Sequence, residues 1–150
     1  MKFVIQRVLN AQVIIDNKIY SSINQGILIF IGIEHGDDNS QLNYYAKKIT
    51  NMRIFNDQGE KMNLSILDIK GSILVVSQFT LLANTKKGNR PSYVRAAGSE
   101  LANSLYIEFI NKLKNYEINV EKGRFGANMK LDIINDGPVT IVLGKDNEKN

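Results

Sequence analysis

Cysteine is absent from this 150-residue sequence, histidine occurs once and proline twice. Without cysteine there is no disulfide, no thiolate nucleophile and no cysteine-ligated metal, a composition that fits a reducing, cytoplasmic setting. The one histidine, His35, is the sole base available to a Ser-His-Asp triad. It stands in Glu34-His35-Gly36-Asp37 at the end of an apolar segment, where a polar turn residue is expected and no nucleophile is placed nearby. The acids are scattered without ligand spacing, so no metal site is expected, and Asp37-Asp38 reads as turn and cap chemistry. No glycine-rich phosphate fingerprint follows a strand, which argues against Rossmann and P-loop arrangements, and no cofactor is expected. The longest apolar run, Gly26 to Ile33, has the length of a strand rather than of a membrane span. The opening Met1 to Arg7 alternates and carries charge too early for the apolar core of a signal peptide. Chemistry performed by such a chain must rely on backbone groups, hydroxyls, amides and its substrate's own groups.

What is present is ordinary in bulk. Hydrophobic residues make up 43% and charged residues 23% of the sequence, and 11 glycines leave no disordered or linker-like tract, so residues 1–150 are expected to form one domain with a real core. The formal charge of +4 says little by itself. Its distribution says more: Lys86, Lys87, Arg90 and Arg95 fall between Asn84 and Arg95 with no acid among them. Gly88 and Pro91 make this stretch a loop. A basic loop suits phosphate contact, and it is equally the pattern of a solvated charge run.

The chain has no internal repeat. Alternation over Phe3 to Val8, continued by Gln12 to Ile15, predicts a first strand, and Asp16-Asn17 predicts a turn with Lys18 to Ser22 returning. Gly26 to Ile33 predicts a strand covered on both faces. Asp38 or Asn39 can cap a helix over Ser40 to Asn51 whose apolar stripe is Leu42, Tyr45, Ala46 and Ile49. Asn56 to Gly59 predicts a turn, and Ser72 to Ala83 a second apolar strand. A long helix is expected from Ser92 to Lys114, with Leu101, Leu105, Phe109 and Leu113 on one face and Gly98 loosening its start. Asn119 to Gly144 reads as strands broken at Gly123, Gly126 and Asp136-Gly137-Pro138. The fold class predicted is α+β, a mostly antiparallel sheet or barrel-like core with two main helices.

Two segments carry candidate chemistry. On a strand, Ser77-Gln78-Phe79-Thr80-Leu81 would place Gln78 and Thr80 on one face, an amide beside a hydroxyl, with free strand-end N–H groups able to stabilise an oxyanion. From spacing alone, Thr80 reads equally as a good strand former and Gln78 as an exposed polar residue. In Asn135-Asp136-Gly137-Pro138-Val139-Thr140, the Asp-Gly-Pro sequence most often marks a turn, but its X-Pro bond adopts the cis form readily and Gly137 offers backbone that a ligand can approach closely.

Taken together, these segments closely resemble the signatures of the D-aminoacyl-tRNA deacylase family. The similarity extends to Val4-Ile5-Gln6-Arg7-Val8, to Asn89-Arg90-Pro91-Ser92-Tyr93 and to Gly123-Arg124-Phe125-Gly126-Ala127-Asn128-Met129, and so spans essentially the whole chain. The resemblance implies hydrolysis of the ester between a D-amino acid and the terminal adenosine of tRNA, with glycyl-tRNA also accepted. It implies a homodimer in which Gly137 and Pro138, joined by a cis bond, reach into the partner's pocket and exclude L-amino acids with main-chain groups. Ser77, Gln78, Phe79 and Thr80 would line the opposite wall, with main-chain N–H groups as the oxyanion site and the terminal ribose 2′-hydroxyl assisting attack by water. Thr80 is the positional candidate for a nucleophile, yet no base is available to activate it. Met129 would close the adenosine pocket, although a flexible core filler is an equally good reading. Lys86, Lys87, Arg90 and Arg95 would meet acceptor-stem phosphates, and Arg7 would brace the Gly-Pro loop. Two alternatives stand beside this: a non-catalytic RNA-binding module, and a relative with a trans Gly-Pro bond that accepts some L substrates.

Overall fold

The alternating pattern at the start of the chain becomes β1 (Lys2–Ile15), a long strand that organises the sheet in this computed structural model, which describes residues 1–144. One edge of β1 pairs antiparallel first with β3 (Gly26–Gly32) and then, beyond Val8, with β2 (Lys18–Ile23). Its other edge carries β8 (Lys130–Gly144), also antiparallel, along almost its whole length. Asp16 and Asn17 take positive φ, as the tight turn between β1 and β2 requires. On the far side of β3 the pairing changes direction: β6 (Ser72–Ser77) and β7 (Asn119–Lys122) run parallel to their neighbours. The sheet is therefore mixed, with its antiparallel part built around β1. Ser21 Oγ donates to the Lys122 carbonyl at 2.9 Å, linking β2 to β7 and drawing the sheet towards a closed barrel. A separate small hairpin, β4 (Phe55–Asn56) with β5 (Met62–Leu64), holds the turn expected at Asn56 to Gly59.

Both faces of β3 and β6 are covered, which is why their sequences are apolar throughout. One face, with Phe3, Ile5, Ile29, Ile31 and Val75, packs on the helices α1 (Leu42–Thr50) and α2 (Ser99–Lys114). The Phe3 ring sits 4.7 Å from Tyr45 and 5.3 Å from Phe109, so one strand residue joins both helices. The other face, with Val8, Val13, Leu28, Leu74 and Val76, fills the barrel interior together with Met129, Leu131 and Ile133. The expected stripe of α1 is buried in full, and the Asp38 carboxylate accepts from the Ser40 amide at 2.8 Å, capping the short 3-10 turn that leads into that helix. No helix among the described residues is long and apolar enough to cross a membrane.

Three expectations need correction. The strand predicted to reach Ala83 stops at Ser77, and Phe79–Leu82 form a 3-10 turn. Gly32, the last residue of β3, leaves room for Leu81 and Leu82 to fold back, and Leu82 is buried there. The second helix starts at Ser99 rather than Ser92, because the preceding residues are committed to bridges between Asn84 and Ser92 and between Glu34 and Ala96. Leu101, placed on its apolar face, is left 41% exposed in that first turn. Finally, β8 is not broken at Asp136-Gly137-Pro138. It bulges: Gln6 pairs with Thr140 and Val8 with Asn135, so the residues from Asp136 to Val139 stand opposite Arg7 alone.

Candidate active site

The ends of β3 and β6, the start of α2 and the segment between β7 and β8 meet around one cavity of about 470 Å³. Its walls include Ser77, Gln78 and Phe79 on one side and Phe125, Gly126, Ala127, Asn128 and Met129 on another, with Leu131 of β8 beside them. The resemblance singled out both groups, and the fold brings them together, except that Thr80, expected on the same wall, is not among the lining residues because the chain turns away after Phe79. None of the residues lining the cavity is ionisable. His35 is exposed in the turn after β3 and is not part of the lining. Among the described residues, no group of three metal-ligating side chains is assembled.

At the end of β6 the Gln78 amide N–H makes the last ladder bond, to the Ile31 carbonyl at 2.8 Å. The next two N–H groups, of Phe79 and Thr80, open the 3-10 turn and donate to no described acceptor within the chain. They are the free main-chain donors expected at this position, although a tight turn and not a strand end presents them. The side chains of Gln78 and Thr80 do lie together: Gln78 Nε2 donates to Thr80 Oγ1. Period-two alternation is not the cause, since both residues lie beyond the strand. The contact gives the hydroxyl no base, since an amide N–H donor cannot take its proton. The Phe79 ring turns outward, 55% exposed, and packs edge-on against Tyr93 with ring centroids 5.1 Å apart.

Gly137 and Pro138 are not part of this cavity. From Leu131, which lines it, β8 runs roughly 20 Å to Gly137 at about 3.3 Å per residue. The Gly137–Pro138 peptide bond is cis, and Gly137 has a φ of 124°. The bulge that carries them is tied to its own chain by Arg7 and Asn135. Arg7, 7% exposed, donates from Nε to the Asp136 carbonyl at 3.2 Å and from Nη1 to the Ile54 carbonyl at 2.7 Å. Its Nε also lies 3.1 Å from the Asp136 carboxylate. Asn135 Nδ2 closes the base of the bulge by donating to the carbonyls of Arg7 and Val139, each at 3.0 Å.

The basic loop divides. Lys86, Lys87 and Arg90 are exposed, while Arg95 pairs with Glu34 at 2.7 Å beside Ala96 and Ala97 of the cavity wall. Those two alanines, with Ile33, Ser99 and Ala102, are lining residues that sequence reasoning missed. The run of small residues Ala96-Ala97-Gly98-Ser99 was the available signal, since small side chains at a helix start leave space for a ligand.

The chain is similar to known proteins over almost its whole length. Residues 4–144 match the family model described as D-Tyr-tRNA(Tyr) deacylase. A D-aminoacyl-tRNA deacylase of Flavobacterium psychrophilum is 52% identical over 151 residues, covering 99% of this chain and all of that protein. One from Fusobacterium nucleatum is 50% identical over 143 residues, covering 95% of each. Among solved structures, the c-Myc DNA unwinding element binding protein superposes with a TM-score of 0.90 at 39% identity, covering 97% of this chain and 99% of that one. A probable eukaryotic D-amino acid tRNA deacylase shares the fold, with a TM-score of 0.81 at 16% identity over 95% of this chain and 97% of its own.

Proposed function

Because the chain belongs to the D-Tyr-tRNA(Tyr) deacylase family, we propose that it hydrolyses the ester of D-aminoacyl-tRNA, and of glycyl-tRNA, with its pocket holding the terminal adenosine. The observation that carries this reading is the cavity itself, enclosed jointly by Ser77 to Phe79 and Phe125 to Met129 and lined without a single ionisable group. A site so built has no side-chain acid, base or activated nucleophile to offer. The Phe79 and Thr80 N–H groups supply donors for a developing oxyanion. The attacking water draws its assistance from the substrate's own terminal 2′-hydroxyl. Met129 and Phe125 offer the soft, apolar contacts that suit an adenine ring.

Selectivity falls to Gly137 and Pro138. Rigid main-chain groups placed against the substrate α-carbon exclude an L side chain by collision, tolerate many D side chains and leave glycine unopposed. The distance between this bulge and its own cavity favours a homodimer in which each chain's bulge enters its partner's site. Two further features support that assembly. Among the described residues β8 pairs only with β1, leaving a 15-residue edge strand uncovered. Its outward residues Ile134 and Val142 are 49% and 42% exposed, with Leu9 of β1 at 50%. Lys86, Lys87 and Arg90, exposed on their loop, would meet acceptor-stem phosphates of a cytoplasmic tRNA, with Arg95 contributing beside them from its pair with Glu34.

The test is incubation of purified protein with D-tyrosyl-, L-tyrosyl- and glycyl-tRNA while ester loss is followed. Rapid loss of the D and glycyl esters with the L ester spared is expected. Persistence of the D ester at near-stoichiometric protein would remove the reading, and salt-sensitive tRNA binding without hydrolysis would leave a binding module in its place.

A further inference from the structure

The wall formed by Phe125 to Met129 is tethered at one point. β7 ends at Lys122, and the Gly123 amide makes the final bond to the sheet, to the Val75 carbonyl at 2.9 Å. From Arg124 to Met129, before β8 starts at Lys130, no hydrogen bond among the described residues joins the segment to another part of the chain; its one internal bond runs from the Ala127 amide to the Arg124 carbonyl. At the root of this segment stands Tyr106 of α2, only 1% exposed. Its hydroxyl donates to the Val75 carbonyl at 2.8 Å and to the Gly123 carbonyl at 3.1 Å, so that one hydrogen is shared between β6 and the departing chain. Its ring lies 5.9 Å from that of Phe125, which lines the cavity.

We propose that Tyr106 is a positioning residue for the active site, its hydroxyl and ring fixing the Gly123–Met129 wall against the strand end that carries Ser77 and Gln78. The inference rests on the reading of the cavity as the adenosine pocket. A tyrosine serves here because its hydroxyl is a neutral donor that can be buried against two carbonyls. Losing the hydroxyl releases the root of the wall while the ring still fills the core. The effect belongs to substrate holding, since the wall touches no reacting atom. It therefore raises KM and leaves kcat nearly intact.

The experiment compares wild type with Tyr106→Phe in steady-state hydrolysis of D-tyrosyl-tRNA, in binding of adenosine 5′-monophosphate by calorimetry, and in thermal melting. We expect a KM about tenfold higher, weaker nucleotide binding by a similar factor and a kcat within about twofold. An unchanged KM and nucleotide affinity, with only a lower melting temperature, would overturn the inference. If the variant does not fold, Phe125→Leu decides: it removes the ring against which the Tyr106 ring packs while leaving the hydroxyl in place, and an unchanged KM would again overturn the inference. A wild type that neither binds the nucleotide nor hydrolyses the D ester would instead fail the adenosine reading, and the inference with it.

Discussion

Gly137 and Arg7 are packed so closely that a Cβ on Gly137 would lie 2.9 Å from the Arg7 Nη2 atom, and 2.9 Å from Val139 Cγ2. Neither neighbour can yield freely. The guanidinium is held at once by the Ile54 and Asp136 carbonyls, and Val139 belongs to the same bulge. A φ of 124° adds strain for any residue with a side chain. Gly137→Ala is therefore expected to displace the bulge, lowering kcat/KM for D-tyrosyl-tRNA by roughly a hundredfold, since small misplacements at a site cost about that much. Melting temperature measured beside activity separates a moved bulge from a lost fold.

The reciprocal change tests the other partner. Lysine at position 7 keeps the charge but not the planar fork that reaches two carbonyls. Arg7→Lys should cost roughly 2 kcal/mol of stability, the scale of one lost charge-assisted hydrogen bond in a buried setting. Urea unfolding reads this directly. A variant with unaltered midpoint and unaltered D-to-L rate ratio would show that Arg7 does not hold the bulge.

Thr80→Ala is expected to retain D-ester hydrolysis within about tenfold of wild type, because no base activates the hydroxyl and the Gln78 amide already donates to it. Single-turnover kinetics provide the measurement. A loss of several orders of magnitude would restore threonine as a nucleophile and require the base to be found.

Much of this arrangement could be read before any coordinates. The buried stripe of Leu42, Tyr45, Ala46 and Ile49, the Asp38 cap and the two-faced burial of β3 all follow from periodicity and local chemistry. What escaped depends on tertiary partners. Thr80 has good strand propensity, yet β6 ends before it because β3 ends at Gly32 and Leu82 is better buried in a turn. Ser92 and Ala96 are claimed by Asn84 and Glu34, contacts invisible to a helical pattern. Asp-Gly-Pro has every mark of a chain break, but Asn135 and Arg7 hold the bulge inside a continuous strand. The candidate site residues were recognisable as a family pattern that already set Gly137 and Pro138 apart from Ser77 to Phe79; the contribution of Ile33, Ala96, Ala97, Ser99 and Ala102 to the cavity was not legible.

The connection after β5 holds a carboxyl expected to make stability respond to acid pH. Two bonds from Ser65, first its amide and then its hydroxyl, each at 2.7 Å, hold the Asp68 carboxyl below its ordinary pKa of 3.8. A carboxyl depressed in the folded state contributes stability that is complete above its unfolded pKa and is lost as pH falls through the folded one. Asp68→Asn should therefore melt earlier than wild type at neutral pH, and the gap should narrow only below pH 3.8. Melting curves over a pH series make the check. A gap independent of pH would assign the effect to geometry rather than charge.

The exposed cations of the basic loop offer a test that needs no knowledge of the chemistry. Lys86, Lys87 and Arg90 are open to solvent, and the Lys86 amide donates to Asn84 Oδ1 at 3.0 Å. Charges so placed add electrostatic attraction without reading sequence, and each phosphate neutralised releases counterions. Changing all three to alanine should weaken tRNA binding and reduce the slope of log affinity against log salt by roughly 2 to 3. Hydrolysis of a D-tyrosyl-adenosine ester, which has no acceptor stem, should be untouched. Arg95 stands apart, because it pairs with Glu34 next to Ile33 and Ala96 of the cavity wall, so that Arg95→Ala leaves this carboxylate without its guanidinium close to the pocket. Its effect should therefore appear on the short ester as well as on tRNA. Equal losses on both substrates for the triple variant would place the basic loop in the pocket and not along the stem.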